Sequence, residues 1–388
     1  MARALYIHWP FCAKKCPYCD FNSHVRESVD VSGWQNALLA DMRAEAEVMA
    51  NADPRKPLTS VFFGGGTPSL MPPALVAALL REAERLWGFD PAIEITLEAN
   101  PSSVEAANFA ALAGAGVNRV SLGVQSLDDA ELRFLGRLHG ASEALAALET
   151  AQAHFGRVSF DLIYALPHHT PELWRERLTR ALGFGTGHLS LYQLTIEPGT
   201  RFASDVRRGR LTPLDDDEAA ELFGLTQELT EAAGLPAYET SNHARAGQES
   251  RHNLAYWRYQ DYAGIGPGAH GRRGGSATVR HKKPENFLKA VKLHANGIAE
   301  ARSLDVREQA AEALLMGLRL VEGVDLANLE TRFALPPKVL VDWHNLIRLC
   351  ALGLMWQDGS RIGVAAPGRP LLDALLAEVV ADELVAAA

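Results

Sequence analysis

Three of the four cysteines in this 388-residue chain fall within eight residues, Cys12, Cys16 and Cys19, in the spacing C-x3-C-x2-C. They lie in a loop directly after the first β-rich run, Leu5–His8, among the aromatic residues Trp9, Phe11, Tyr18 and Phe21. Three thiolates can hold three irons of a cubane cluster, and the fourth iron then needs a non-cysteine ligand, such as an amino group together with a carboxylate. Zinc is the competing reading. It takes four tetrahedral ligands, usually from paired knuckles, and His8 or His24 would have to supply the fourth. The sequence has no second knuckle, and the aromatic surround suits a dry pocket that tunes a cluster. Cys350, alone in LIRLCALGL, reads as a small buried hydrophobe.

Further polar residues fall at the ends of β-rich runs. Gly64–Gly65–Gly66–Thr67–Pro68 follows Ser60–Phe63, and glycines there let the backbone approach a ligand, although a tight strand-to-helix turn uses the same residues. Glu98 in EANP, Gln125 in GVQS, Arg137 in LGRLH and Asp161 in DLIYALP are either buried ion pairs and caps or groups that grip a ligand. Farther on, Arg251–His252–Asn253–Leu254–Ala255–Tyr256–Trp257 joins an imidazole able to ligate iron to two flat aromatic faces. A packed, hydrogen-bonded histidine is the plainer reading of His252. Arg201, Arg207, Arg208 and Arg210 read as a solvated helix face.

The elements that must position these residues alternate. Leu5–His8, Ser60–Phe63, Glu94–Leu97, Arg119–Gly123, Ser159–Tyr164 and His188–Thr195 have strand character. Between them lie helical patterns at Pro72–Trp87, Val104–Ala113, Asp128–Leu138, Ser142–Phe155 and Pro171–Leu182. Six such units, followed by strand-like pieces at Ala237–Thr240 and Tyr262–Ile265, predict an α/β fold with a partial or complete (β/α) barrel, whose site lies at the carboxyl ends of its strands. After about residue 303 the pattern changes to helices at Glu308–Val321, Leu326–Phe333, Lys338–Leu352 and Pro370–Leu384, with a hairpin at Leu354–Val364. This predicts a first domain over 1–300 and a small, mainly helical, winged-helix-like domain over 303–388.

The run YIHWPFCAKKCPYCDFNSH resembles the opening of the radical S-adenosylmethionine proteins. Within them it is similar to the group that contains the oxygen-independent coproporphyrinogen III oxidase and its paralogue, the haem chaperone HemW, and the resemblance continues through most of the chain. It implies a [4Fe–4S] cluster on Cys12, Cys16 and Cys19, with S-adenosylmethionine on the free iron. It further implies that Gly65, Gly66 and Thr67 meet the methionine amino end and that Tyr6 and Tyr18 line the pocket. Gln125 joins them, Arg137 pairs with the cofactor carboxylate, and Glu98 or Asp161 takes ribose hydroxyls or the amino group. Such a site permits one-electron cleavage of the sulfonium to methionine and a 5′-deoxyadenosyl radical.

Three departures from the oxidase pattern stand out. Phe21 occupies the position of that enzyme's fourth cysteine, the motif is reached almost at once, and HNxxYW resembles a HemW signature. The resemblance therefore implies a haem chaperone, with His252, Asn253, Tyr256 and Trp257 at haem. Its partners would be haem-acceptor proteins such as membrane-bound respiratory enzymes, with a homodimer as a further expectation. The alternative is decarboxylation of coproporphyrinogen III to protoporphyrinogen IX. His168 and His169 stand where similar sequences carry Gly-Gln and read as a local feature or as alternative haem ligands.

Composition narrows the field. With 47% apolar and 22% charged residues the chain is that of a globular protein, and a net charge of −9 argues against nucleic acid as a partner. No run approaches the ~20 apolar residues of a membrane span, and the first residues form no signal-length apolar segment. The expectation is a cytoplasmic protein, with peripheral membrane contact left open.

Overall fold

The computed structural model describes residues 2–50, 57–381 and 384. Each predicted β-rich run forms a strand: β1 (Ala2–Trp9), β2 (Leu58–Gly65), β3 (Phe89–Ala99), β4 (Arg119–Gln125), β5 (Arg157–Tyr164) and β6 (His188–Gln193). All six are parallel, each bonded to the next. Their side chains alternate between two faces. Leu5, Ile7, Val61, Phe63, Ile95, Leu97, Val120, Leu122, Phe160, Leu162, Leu189 and Leu191 face outward. There they join one core with Leu38, Met42, Leu79, Phe109, Leu148, Trp174 and Leu178 of the covering helices. The intervening residues on the concave face include the polar Tyr6, His8, Glu94, Glu98, Ser121, Asp161 and His188, with the apolar Phe62 among them.

The barrel is partial. β7 (Asn242–Ala244) adds antiparallel to β6, and β8 (Asp261–Ile265) adds parallel to the free edge of β1. The antiparallel strands β9 (His270–Arg273), β10 (Ser276–Arg280) and β11 (Ile298–Ser303) continue that side. The order β11-β10-β9-β8-β1-β2-β3-β4-β5-β6-β7 leaves both ends unjoined, an open arc of six β/α units. The GRRGGSATVR stretch is thus the β9–β10 hairpin.

Several boundaries differ from expectation. Val104–Ala113 is two short helices, Ser103–Ala106 and Phe109–Gly114, and Asp128–Leu138 is helical only over Asp129–Phe134. Ala237 makes an isolated bridge to His243, so the strand lies beyond the predicted Ala237–Thr240. The Lys338–Leu352 helix breaks into Pro337–Leu340 and Trp343–Ala351 because Val341 bridges to Val380 and Asp342 caps the second piece through Asn345 N–H. The last helix covers Leu372–Val379, and residues 382 and 383 of the predicted span lie outside the described residues. These helices, with the hairpin strands Met355–Asp358 and Arg361–Val364, pack on a second core that includes Leu314, Phe333, Leu346, Ile362 and Leu376. Cys350 packs, partly buried, at its edge.

The β8–β11 extension is tied to the helix Val31–Ala50 by a charged node that is fully enclosed. Arg280 donates from Nε to Asp41 at 3.2 Å and from Nη2 to Glu45 at 2.8 Å, and Arg273 also donates to Glu45. Asp41 in turn accepts the backbone N–H of Gly266 and of Gly297, at 3.2 and 2.9 Å. Arg280, Asp41 and Glu45 are 0–1% exposed, so removing the Arg280 cation takes the counter-charge from buried Asp41 and leaves Glu45 with Arg273 alone. Arg280→Met should cost about 3–5 kcal/mol in denaturant unfolding, whereas a loss below about 1 kcal/mol, the scale of a surface pair, would show that the node is hydrated.

Candidate functional site

The cysteine loop is built on the carboxyl ends of β1 and β2. Gly66 N–H donates to the Trp9 carbonyl at 2.7 Å and Thr67 N–H to the Phe11 carbonyl at 2.8 Å, so the glycine run clasps the chain just before Cys12. That fit requires glycine. A Cβ on Gly66 would lie 2.7 Å from the Phe11 carbonyl oxygen, and one on Gly65, whose φ is +113°, would lie 2.5 Å from the His8 ring. Thr67 Oγ1 donates to Cys12 Sγ at 3.3 Å and Arg137 Nη1 to Cys16 Sγ at 3.5 Å. Burial pushes the Cys12 and Cys19 thiols up, and the neighbouring sulfurs add to the effect, so the loop holds thiolates readily only against a cation.

The donor set fits a cluster better than zinc. Both zinc candidates are engaged: His8 Nε2–H donates to the Asn22 carbonyl at 2.9 Å while His8 Nδ1 accepts the Tyr6 hydroxyl at 3.0 Å, and His24 Nε2 is 3.3 Å from Asn22 Oδ1. Burial pulls the His8 pKa down to about 4. Among the described residues, one trio of possible ligands has its donor atoms within 4.8 Å of one another, and it is not the cysteines. A tetrahedral zinc, with Zn–S of about 2.3 Å, would draw thiolate ligands to about 3.8 Å apart.

Arg137 stands over the loop, beside Tyr18 and Cys16, which both favour its charged form against burial. Nη2 donates to the Gly123 carbonyl at 2.9 Å and to Asn100 Oδ1, and Asn100 Nδ2 donates to Thr67 Oγ1 at 3.2 Å. Its Nε is buried without a partner, an orphan donor that suits a carboxylate. Gln125 ends β4 at φ +69°, a backbone position unusual for a residue with a Cβ.

The concave face adds two carboxylates. Glu98 accepts the Gly65 N–H at 3.2 Å, and Asp161 accepts from Ser121 at 3.2 Å. Burial, with the Asp161 charge adding to it, lifts the Glu98 pKa to about 8, and burial lifts that of Asp161 to about 6. At neutral pH Glu98 therefore holds a proton and Asp161 is mostly ionised.

The HNxxYW segment forms the helix Arg251–Trp257, which lies inside the arc against β1, β2 and β8. Ser250 caps it by accepting Asn253 N–H at 3.3 Å. Arg157 fixes the approach: it pairs with Glu94 at 2.5 Å and donates to the carbonyls of Gln248 and Glu249 at 2.6 and 2.9 Å, while Glu94 accepts His252 N–H at 3.3 Å. The His252 ring stacks on Phe62 (centroids 4.9 Å, 27°) and lies 6.1 Å from Tyr6, with Nδ1 3.4 Å from Ser60 Oγ. Burial lowers the His252 pKa to about 4, so the imidazole is neutral at pH 7. Asn253 Nδ2 donates to Tyr238, Tyr256 packs on Tyr262, and Arg319 lies 5.4 Å from the Trp257 ring centre.

A single cavity of about 940 Å3 joins these regions. Tyr6, Gly65 and Glu98 line it together with His252, Asn253, Tyr256 and Trp257, and Phe21 and Lys15 of the cysteine loop reach it as well. Cys12, Cys16, Cys19, Thr67, Arg137 and Tyr18 form the adjoining layer. His168 and His169 lie elsewhere, against Glu131. Arg201 and Arg210 pair with Asp205 at the surface. Sequence reasoning missed Glu94, Arg157, Tyr192, Glu239 and Tyr262. The strict alternation in IEITLEA and RVSFDLIY was the available signal for the first two.

An open β/α arc with this cysteine loop defines a radical S-adenosylmethionine protein, and the radical SAM superfamily model matches residues 6–181, with the HemN C-terminal domain model matching 304–371. The chain is 40% identical over 329 residues to heme chaperone HemW of Haemophilus influenzae, covering 83% of each protein. It is 32% identical over 376 residues to heme chaperone HemW of Bacillus subtilis, covering 95% of this chain and 97% of that one. To mouse radical S-adenosyl methionine domain-containing protein 1, mitochondrial, it is 41% identical over 386 residues, covering 96% and 86%. Coproporphyrinogen III oxidase (HemN) from Escherichia coli shares the fold, with TM-score 0.81, 22% identity, and coverage of 96% of this chain and 89% of that one. The chain belongs to the HemW family of radical S-adenosylmethionine proteins. Membership implies a [4Fe–4S] cluster and S-adenosylmethionine.

Two outcomes follow from this geometry. Gly66→Ala drives a methyl into the Phe11 backbone and should lower iron incorporation on anaerobic reconstitution; iron content equal to that of the unaltered chain would show that the loop tolerates the shift. A carboxyl whose folded pKa is raised contributes stability that is lost as pH climbs from its unfolded value, about 4.5, to about 8. Thermal melts of the cofactor-free protein should therefore show Glu98→Gln gaining stability over the unaltered chain across that window; a pH-independent gap would show that Glu98 does not titrate there.

Proposed function

We propose that this chain is a haem chaperone that holds haem in the 940 Å3 cavity and passes it to acceptor proteins. The observation that carries the reading is that His252, Asn253, Tyr256 and Trp257 share this cavity with Tyr6, Gly65 and Glu98. His252 is neutral at pH 7, its Nδ1 is turned to Ser60, and no described residue engages Nε2, which is left to ligate haem iron. Tyr256 and Trp257 supply the flat apolar faces a porphyrin needs.

Beside it, Cys12, Cys16 and Cys19 hold three irons of the cluster. Arg137, with its unpartnered Nε, would hold the carboxylate of S-adenosylmethionine, the edge at Gly65, Gly66 and Thr67 would receive the amino end, and Glu98, Asp161 and Gln125 would hold the remaining polar groups. Tyr6 lines the cavity, and Tyr18 stands beside Arg137 and Cys16. When bound, cluster and cofactor supply one-electron cleavage of the sulfonium. The protein's part is to orient them and exclude water. Phe21, 57% exposed at the cavity, leaves an apolar lip where a fourth cysteine would stand in the oxidase.

The domain division at 1–300 and 303–388 belongs to this proposal, with Arg319 of the second domain reaching the cavity beside Trp257. So do a cytoplasmic location, respiratory enzymes at the membrane as acceptors, a peripheral membrane contact and a homodimer; no described helix is long and apolar enough to cross a membrane.

Haem added to the reconstituted protein should give a Soret band that weakens in His252→Ala, and an unchanged spectrum would remove His252 as the ligand. Anaerobic conversion of coproporphyrinogen III to protoporphyrinogen IX by the same preparation would replace the chaperone reading with the oxidase. Metal analysis should find about four irons per chain, where one zinc and no colour would remove the cluster.

A further inference from the structure

Away from the cysteine loop, at the carboxyl ends of β4 and β5, three side chains converge that nothing in the preceding mechanism uses. Glu131 projects from the helix Asp129–Phe134, and His168 and His169 occupy the turn after β5, where His169 N–H donates to the Leu166 carbonyl. Glu131 Oε1 lies 3.3 Å from His169 Nε2 and 3.8 Å from His168 Nε2, and one donor atom from each residue falls within 4.8 Å of the others. Ligands held at about 2.1 Å around a tetrahedral ion sit about 3.4 Å apart.

A second, independent observation concerns His169 itself. Its side chain is 1% exposed and stacked on Trp174 at 6.0 Å; Nδ1 is buried without a partner, and Nε2 meets only the Glu131 carboxylate, at 3.3 Å and outside hydrogen-bond geometry. A buried ring nitrogen held in poor hydrogen-bond geometry is expensive, and a metal ion between Nε2 and the Glu131 carboxylate removes that cost. Glu131, 4% exposed, keeps Oε1 directed to the two imidazoles while Oε2 accepts the Ser126 hydroxyl, so one oxygen is held in place and one is offered. The other charged groups at hand are Arg177, whose Nε lies 3.8 Å from Glu131 Oε1, and Asp128, which takes Arg177 Nη2 at 3.0 Å and balances its charge. His168 is 56% exposed, which leaves the ion an open side for water or an exogenous ligand.

We propose that Glu131, His168 and His169 bind one first-row divalent ion, zinc by preference, at a site separate from the cysteine cluster. Two imidazoles and one carboxylate suit zinc and its neighbours over calcium or magnesium, which prefer all-oxygen shells. The ion joins Glu131, six residues before Arg137 in the segment after β4, to the turn after β5. The His-His pair in this turn thus acts as a ligand pair and not as a haem site.

The test uses full-length, untagged protein with its iron–sulfur cluster reconstituted anaerobically, so that the cysteines are occupied. After treatment with a chelator, the protein is exposed to zinc chloride, desalted and analysed for metal. The expected result is one zinc per chain beyond the iron, lost in His168→Ala/His169→Gln at unchanged iron content. Zinc should be retained by Cys12→Ser/Cys16→Ser/Cys19→Ser. Because His169 is buried, the exposed His168→Ala alone gives a second reading, with affinity at least about tenfold weaker by competition with a chromophoric chelator. No zinc on the unaltered chain, or equal zinc on the histidine variants, overturns the site.

Discussion

The pleat of the six parallel strands governs everything else in this molecule. Parallel strands covered on both sides usually read as unbroken apolar runs. Here they largely alternate, with branched and aromatic residues outward under the helices and Tyr6, Glu94, Glu98, Ser121, Asp161 and His188 inward beside Phe62. An inner face of that composition cannot be filled by apolar packing, so the arc encloses a cavity whose polar groups satisfy one another or wait for a ligand. Some of that satisfaction is internal, as in the Glu94–Arg157 pair and the hydrogen bond between Ser159 and His188. Glu98 and Asp161 each accept a hydrogen bond but have pKa values lifted by burial, and Arg137 keeps an orphan Nε.

Because the arc is open, a second element can enter it. The helix Arg251–Trp257 does so, held by the same inner-face groups, Glu94 and Arg157, that a closed barrel would bury against each other. One enclosure therefore presents the edge of a cluster loop and an imidazole flanked by aromatic rings. The glycine run at the end of β2 lets these lie close: side chains on Gly65 or Gly66 would collide with His8 or with the Phe11 backbone.

The carboxyl-terminal region is joined to the motif helix at close quarters. Arg258 pairs with Glu322 at 2.7 Å, Arg319 lies over Trp257, and Tyr259 is buried in the second core while its hydroxyl donates to Glu312 at 2.5 Å. These contacts place Arg319 of this region on the lining of the cavity beside Trp257.

The sequence by itself determined the local features. Strand positions were legible because apolar and polar residues alternate with period two, and the cysteine loop, the GGGTP turn and the HNxxYW helix because their residue types and spacings are chemically restrictive. Helix lengths were less legible where a cap or bridge intervened, as at Val341 and Asp342, since a bridge to Val380 depends on a residue far along the chain. The tertiary structure alone decided which distant residues meet: His252 with Phe62 and Tyr6, Glu94 with Arg157, Asp41 and Glu45 with Arg280, and His169 with Glu131. Such meetings follow from strand order and from an arc that stays open. Both are set by the summed packing of elements hundreds of residues apart, which no local period encodes.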